Sequence, residues 1–258
     1  MRWLSLLSLL LPASLSAAEV VGLNLAAPAV HLRVEVVQTY PHDPQAFTQG
    51  LLLHGDTLFE STGLVGRSSL RQVELATGKV LRQIDVPLPY FAEGLALAGD
   101  RLIQLTWQHG TAFVYDPISF SERGRLTYGG EGWGLTYDGK QLIMSDGSDE
   151  LAFRDANNFQ ELRRLEVTRD GRPVTRLNEL EWVGGKVYAN IWTTSEIVAI
   201  DPVDGRVSAT IDAAGLLTRE EAAKADVLNG IAHDAKSGDF LITGKLWPKL
   251  FRVRFVPR

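Results

Sequence analysis

The hydrophobic and polar positions of this chain repeat one pattern five times. In each copy a polar or aromatic residue, usually followed by glycine, precedes an apolar run, a small turn and a second apolar run. The copies begin at Gln49, Glu93, Trp133, Asn178 and Asn229, so that successive leading residues are 44, 40, 45 and 51 positions apart. Spacings of this size are typical of propeller blades rather than of helical repeats.

Two further strand-like runs around a turn follow the leading motif, as in the hairpin predicted over 69–86. The fifth unit has only one such run, 250–256, and one strand-like segment, 31–40, precedes the first repeat. We therefore predict an all-β, five-bladed β-propeller with four antiparallel strands per blade. Pairing of the N-terminal strand with the C-terminal strands would close the ring. One short helix is predicted over 218–225, where Thr218 caps an acidic first turn.

The N-terminal segment has the pattern of a secretory signal. Arg2 precedes an apolar run from Leu4 to Leu11, and small residues end the segment at Ala18. This predicts a signal peptide over 1–18 and a single propeller domain over 19–258. No segment approaches the roughly 20 apolar residues of a membrane-spanning helix. We expect an exported protein, periplasmic or secreted, with no membrane partner.

Composition narrows the range of partners and chemistries. The formal net charge is −5 and no basic stripe is present, which argues against nucleic acid as a partner. The chain has no cysteine, which excludes thiolate chemistry and disulfides. Because a closed ring leaves no repeat edge open, we predict a monomer.

Ring closure would gather two sets of side chains at one face: the repeat leaders with their neighbours, and residues that follow the second strand of each unit. Together they combine aromatic groups with carboxylates, a lysine and several amides, which is typical of a small pocket for an uncharged or cationic organic group. The candidate pocket residues are Phe47, Gln49, Phe91, Glu93, Trp107, Glu131, Trp133, Asn178, Trp192, Asn229, Lys245 and Trp247.

Several chemistries lack their required residues. The sequence has no G-x-S-x-G elbow, no phosphate-binding glycine loop and no clustered histidines for a catalytic metal. What remains is proton transfer by Glu93, assisted by fixed hydrogen-bond donors.

Ten short motifs occur between about residues 35 and 256. They are FTQG (47–50), GRSSLR (66–71), FAEG (91–94), QLTW (104–107), EGWGL (131–135), SDGS (145–148), LNELEW (177–182), ANIW (189–192), LNGIA (228–232) and TGKLWP (243–248). In this order and spacing they resemble the glutaminyl-peptide cyclotransferases of the plant and bacterial type. The resemblance implies a five-bladed propeller that converts N-terminal glutamine of peptides or proteins to pyroglutamate (5-oxoproline) with release of ammonia, an acyltransferase reaction.

The resemblance also implies roles for individual residues. The catalytic acid/base falls on Glu93, and the other catalytic positions are Lys245, Asn178 and Gln49. The substrate-binding positions are Phe47, Trp107, Trp133, Trp192, Phe91, Glu131 and Asn229, of which the last three could instead support the residues that touch substrate. Catalysis would need no metal or cofactor, although a structural ion in the channel is possible.

Two other functions are open on the residues alone. A propeller lactonase or sugar dehydrogenase would use calcium or a quinone, and chelator sensitivity would identify it. A non-enzymatic propeller would bind peptides on its aromatic face, and release of ammonia from a peptide with N-terminal glutamine would exclude it.

Overall fold

A computed structural model describes residues 28–258. The predicted signal peptide lies outside these residues. The described part is almost entirely strand, so the all-β prediction is confirmed. The strands are β1 (Val30–Pro41), β2 (Thr48–His54), β3 (Thr57–Thr62), β4 (Ser69–Glu74), β5 (Lys79–Asp85), β6 (Ala92–Ala98), β7 (Arg101–Thr106), β8 (Thr111–Tyr115), β9 (Glu122–Thr127), β10 (Leu135–Tyr137), β11 (Gln141–Ser145), β12 (Glu150–Asp155), β13 (Glu161–Glu166), β14 (Thr168–Arg169), β15 (Arg172–Pro173), β16 (Leu177–Val183), β17 (Lys186–Ile191), β18 (Glu196–Ile200), β19 (Val207–Asp212), β20 (Leu228–His233), β21 (Phe240–Gly244) and β22 (Lys249–Pro257).

The strands form antiparallel sheets in sequence order. β2–β5, β6–β9 and β10–β13 each make a four-stranded sheet, and β16–β19 and β20–β22 follow the same order. β1 pairs antiparallel with β22, from Leu32 opposite Pro257 to Pro41 opposite Lys249. This is the pairing of N-terminal and C-terminal strands that the sequence predicts. β1 also pairs in parallel with β19, which the sequence did not predict, and this pairing joins eight strands into one sheet.

The predicted helix is present but shorter than expected. It spans Arg219–Ala222, and Thr218 forms a capping box with Glu221. Thr218 Oγ1 accepts a hydrogen bond from the Glu221 amide, and the Glu221 carboxylate accepts one from the Thr218 amide. The small hairpin of β14 and β15 was not predicted. Within residues 28–258, no helix has the length and hydropathy needed to cross a membrane.

The first strands of the five units contact one another. β2 contacts β6, β6 contacts β10, β10 contacts β16, β16 contacts β20, and β20 contacts β2. Glycine permits this approach, because a Cβ atom on Gly134 would lie 2.0 Å from the carbonyl oxygen of Asn178. The Gly94 amide donates a 2.7 Å hydrogen bond to the Trp133 carbonyl across the same kind of contact. The leading residues of the repeat are thereby brought close together.

The hydrophobic core lies between neighbouring sheets. One cluster packs Ile103 and Leu105 of β7 against Leu135 of β10 and Leu142 of β11, and all four side chains are fully buried. Similar clusters lie between the other sheets. Because these interiors are closely packed, the ends of the strands are held in fixed positions.

Candidate active site

A cavity of about 320 Å³ opens where the leading strands meet, and it contains most of the residues predicted from the sequence. Its size and its aromatic walls are those of a small-molecule pocket. The residues that line it are Phe47, Gln49, Phe91, Glu93, Trp107, Trp133, Asn178, Trp192, Thr193, Asp226, Val227 and Lys245.

Glu93 is the buried carboxyl group of this pocket. It lies on β6, its side chain is 5% exposed, and its Oε1 accepts a 2.9 Å hydrogen bond from Nε2 of Gln49. Burial raises the pKa of Glu93 well above its usual range, the Lys245 ammonium opposes this shift, and the charge of Glu131 adds to it. A carboxyl group with a raised pKa binds its proton more readily than an exposed one, which suits a group that accepts a proton and later returns it.

Lys245 supplies the positive charge of the pocket. Its Nζ lies 4.8 Å from the ring centroid of Phe47, a cation–π arrangement, and the residue is 5% exposed. Burial lowers the pKa of Lys245, while Glu93 and Asp226 oppose the shift. Its backbone pairs with the preceding loop through hydrogen bonds to Asp226 and Val227.

A second buried pair fixes the segment that carries Lys245. His42 contacts the Trp247 carbonyl through Nδ1 at 2.7 Å and Glu60 through Nε2 at 2.9 Å. The Leu246 amide donates to the carbonyl of Ala46 at 2.7 Å, next to Phe47 in the sequence. No local pattern could assign a role to His42, because its contacts lie 18 and 205 positions away.

The aromatic wall is held together by Glu131. Its Oε2 accepts hydrogen bonds from the indole nitrogens of Trp107, at 2.7 Å, and of Trp133, at 2.9 Å. Burial opposes ionisation of Glu131, but hydrogen bonds from Gln108 and the two indoles lower its pKa. The ring of Trp133 packs edge-on against that of Trp192, with centroids 5.4 Å apart. One carboxylate therefore fixes two of the three tryptophans.

The amide side chains of the site differ in position. Asn178, at the start of β16, lines the cavity, and no donor within residues 28–258 reaches its Oδ1. Asn229 is fully buried behind the wall, where its Nδ2 donates to the Thr48 carbonyl at 3.0 Å and to Gln49 Oε1 at 3.2 Å. Asn229 thus orients Gln49, which in turn donates to Glu93.

Three predicted residues do not line the cavity. Glu131 accepts hydrogen bonds from two lining indoles, and Asn229 donates one to the lining residue Gln49. Trp247 is packed in the core, where its indole nitrogen donates to the Asp226 carbonyl. Three lining residues were missed: Thr193, Asp226 and Val227. Thr193 directly follows the predicted Trp192, and Asp226 and Val227 lie three and two positions before the predicted Asn229. This closeness in the sequence was the available signal.

Comparison with known proteins places this chain in one family. The model of the family described as glutamine cyclotransferase matches residues 6–255. A glutaminyl-peptide cyclotransferase of Arabidopsis thaliana is 44% identical over 226 residues, which cover 86% of this chain and 71% of the plant protein. The crystal structure of Myxococcus xanthus glutaminyl cyclase superposes with a TM-score of 0.81 at 40% identity, covering 89% of this chain and 99% of that one. The chain belongs to the glutamine cyclotransferase family, and the resemblance predicted from its motifs is confirmed.

Proposed function

We infer that this protein is a glutaminyl-peptide cyclotransferase, an acyltransferase that converts N-terminal glutamine of peptides or proteins to pyroglutamate with release of ammonia. Family membership and the two named relatives support the activity. The observation that carries the mechanism is the buried Glu93 carboxyl group, bonded to Gln49 inside an aromatic pocket.

The pocket provides the groups that ring formation needs. The substrate α-amino nitrogen attacks the side-chain carboxamide carbon, so that a C–N bond forms and the carbonyl oxygen becomes an oxyanion. Glu93 accepts the proton that the amine loses. Lys245, Asn178 and Gln49 are the nearby donors for the oxyanion, and one such donor is typically worth about 2.7–4 kcal/mol.

The same carboxyl group completes the reaction. The oxyanion reforms the carbonyl as the bond to the carboxamide nitrogen breaks, and Glu93 returns its proton so that ammonia departs. Glu93 ends in the protonation state in which it began, and the reaction involves no oxidation or reduction. Phe47, Phe91 and the three tryptophans hold the glutamine side chain folded towards its own amine, which lowers the entropy lost on the way to the transition state.

We propose that the five units form a closed five-bladed propeller. The cyclic contacts of the leading strands and the pairing of β1 with β22 support this arrangement. β1 would then be the outermost strand of the fifth blade. A protein of this kind would be monomeric, would act after export to the periplasm or the medium, and would need no cofactor. Light scattering of the mature chain tests whether the protein is monomeric.

The activity is tested by mass spectrometry of a short peptide with N-terminal glutamine, incubated with the purified protein in the presence of a chelator. Loss of one ammonia far above the rate without enzyme is expected, and a pyroglutamate standard identifies the product. A folded protein that gives no loss would contradict the proposal. Activity that disappears only with chelator would favour the metal-dependent alternative.

A further inference from the structure

A second, larger cavity adjoins the active-site pocket. It has a volume of about 700 Å³ and is formed by the β14–β15 hairpin, the segment that leads to β16, and the ends of β17 and β18. Three arginines line it: Arg169, Arg172 and Arg176. We call this cavity the arginine cleft.

The arginine cleft and the pocket share a wall. The carbonyl of Arg176 accepts a 2.9 Å hydrogen bond from the Trp192 amide, and Nη1 of Arg176 donates to Thr193 Oγ1 at 2.7 Å. Trp192 and Thr193 line the pocket that contains Glu93. Ile191 and Thr194 of the same segment line the arginine cleft, so a chain that leaves the pocket over this wall passes towards the arginines.

The backbone of this wall is held in an unfavourable conformation. Arg176 has φ of 65° and Thr193 has φ of 69°, in the left-handed region that side-chain-bearing residues, and β-branched threonine above all, rarely adopt. Residues held in this way concentrate at active sites and ligand clamps. A hydrogen bond between their side chains joins the two residues.

The charges of the arginine cleft do not cancel. Arg169 pairs with Glu196 at 2.5 Å, and Asp170 also lines the cavity. No carboxylate oxygen of residues 28–258 lies within 4.0 Å of a nitrogen of Arg172 or Arg176. Guanidinium groups bind carboxylates with paired, charge-assisted hydrogen bonds. In a chain with net charge −5, this positive cavity is suited to an acidic ligand.

We propose that the arginine cleft binds acidic side chains of the substrate peptide in the few residues that follow its N-terminal glutamine. The inference rests on the proposed function, since it takes the glutamine to occupy the pocket. Residue two of the peptide would cross the wall formed by Trp192 and Thr193, so residues three and four are the ones that we assign to the cleft.

The test compares kcat/KM for three peptide amides, Gln-Ala-Glu-Glu, Gln-Ala-Ala-Ala and Gln-Ala-Lys-Lys, at low salt. Wild-type protein is expected to prefer the acidic peptide to the neutral one by about fivefold, since partly exposed ion pairs are individually weak. The preference should shrink at 0.5 M NaCl, where charges are screened. R172E, which changes a side chain outside the pocket wall, should remove it and favour the lysine peptide.

The matched control is R33E, because Arg33 is exposed on β1 and lines neither cavity. R33E should keep the wild-type ratio of acidic to neutral peptide. Equal rates on all three peptides in wild-type protein, or an unchanged ratio in R172E, would overturn the proposal while leaving the cyclotransferase activity intact. Failure of wild-type protein to cyclise even the neutral peptide would instead overturn the proposed function, and the proposal with it.

Discussion

The side-chain amide of Gln49 donates a 2.9 Å hydrogen bond to Oε1 of Glu93, although the two residues stand 44 positions apart. Both lead a copy of the repeat, so that contact between β2 and β6 brings them together. Asn229, the leader of the last copy, donates to the other end of the Gln49 amide. The repeat thus builds a hydrogen-bonded line of three side chains that ends at the proposed acid/base.

Glu93→Gln should abolish most of the activity without unfolding the protein. Glutamine has the same shape and keeps an oxygen that can accept the Gln49 hydrogen bond, but it cannot carry the proton. We expect kcat/KM to fall by about 10²–10⁴-fold. Ammonia release and circular dichroism measure activity and folding, with Glu35→Gln on the exposed face of β1 as the control. A wild-type rate would remove Glu93 from the mechanism.

Lys245→Met should move the acid limb of the pH profile to higher pH. The ammonium of Lys245 lowers the pKa of Glu93, so its removal raises that pKa further, and a higher pH is needed to form the carboxylate. The plateau should also fall by about 10²–10³-fold if Lys245 donates to the oxyanion. The measurement is kcat/KM from pH 5 to 9.

One peptide serves for every variant, so that the titration of the substrate amine is constant. Lys236→Met, which removes an exposed lysine paired with Asp56, is the control and should leave the limb in place. If the acid limb of the pH profile lies at the same pH in Lys245→Met as in wild type, Lys245 does not affect the pKa of Glu93.

Glu131→Ala should weaken catalysis although Glu131 lies outside the cavity. Its loss frees the indoles of Trp107 and Trp133, and small misplacement of groups that position substrate is costly. We expect kcat/KM to fall by about 10–100-fold. Gln108→Ala is the matched control, because it removes another hydrogen bond to Glu131 and leaves both indoles bonded. Equal effects of the two variants would contradict this role.

The fold could be predicted because its signals are local and repeated. The fifth unit lacked one of its four strands, and segment 31–40 was the strand-like run that belonged to no unit. The pairing of β1 with β22 could therefore be predicted. The β14–β15 hairpin was missed because each of its strands has two residues and no apolar alternation. The parallel pairing of β1 with β19 depends on how two units sit together, which no local pattern encodes.

The site could be predicted as far as the strand ends determine it. Glu93 and Asn178 lie where the repeat places them. Thr193 was missed because its place in the wall depends on a positive φ, which the sequence does not reveal at a threonine. Asp226 was missed because it lies in a loop whose position is fixed by backbone pairing with Lys245. Glu131 shows a different limit. Its closeness to the pocket was predicted, but its side chain is oriented by hydrogen bonds from the indoles of Trp107 and Trp133, which become neighbours only in the folded protein.

Gly134→Ala should destabilise the protein, because the new Cβ would lie 2.0 Å from the carbonyl oxygen of Asn178. The leading strands of two units would have to separate, at a cost of roughly 1–3 kcal/mol in the free energy of unfolding. Urea titration measures the change. Gly129→Ala is the control, since nothing lies within 4 Å of its Cβ, and its effect should stay within about 0.5 kcal/mol. Equal effects would contradict close packing at Gly134.

Glu181→Gln should reduce the amount by which the free energy of unfolding decreases as the pH rises. Burial raises the pKa of Glu181 to about 8, against the hydrogen bond that its Oε1 accepts from the His233 amide. In the unfolded chain this carboxyl loses its proton near its usual value of 4.5, whereas the folded protein holds it until about pH 8. The contribution of Glu181 to the free energy of unfolding is therefore fully present below pH 4.5 and is lost as the pH rises to 8.

Glutamine keeps the acceptor oxygen without the titration, so the variant should match wild type near pH 4.5 and exceed it at pH 8, by a few kcal/mol. Part of the slope should remain, because burial beside Glu181 also raises the pKa of Glu179. Urea unfolding at pH 4.5, 6 and 8 checks this, with exposed Glu35→Gln expected to keep the full slope. A constant difference between Glu181→Gln and wild type across this range would show that Glu181 is ionised in the folded protein.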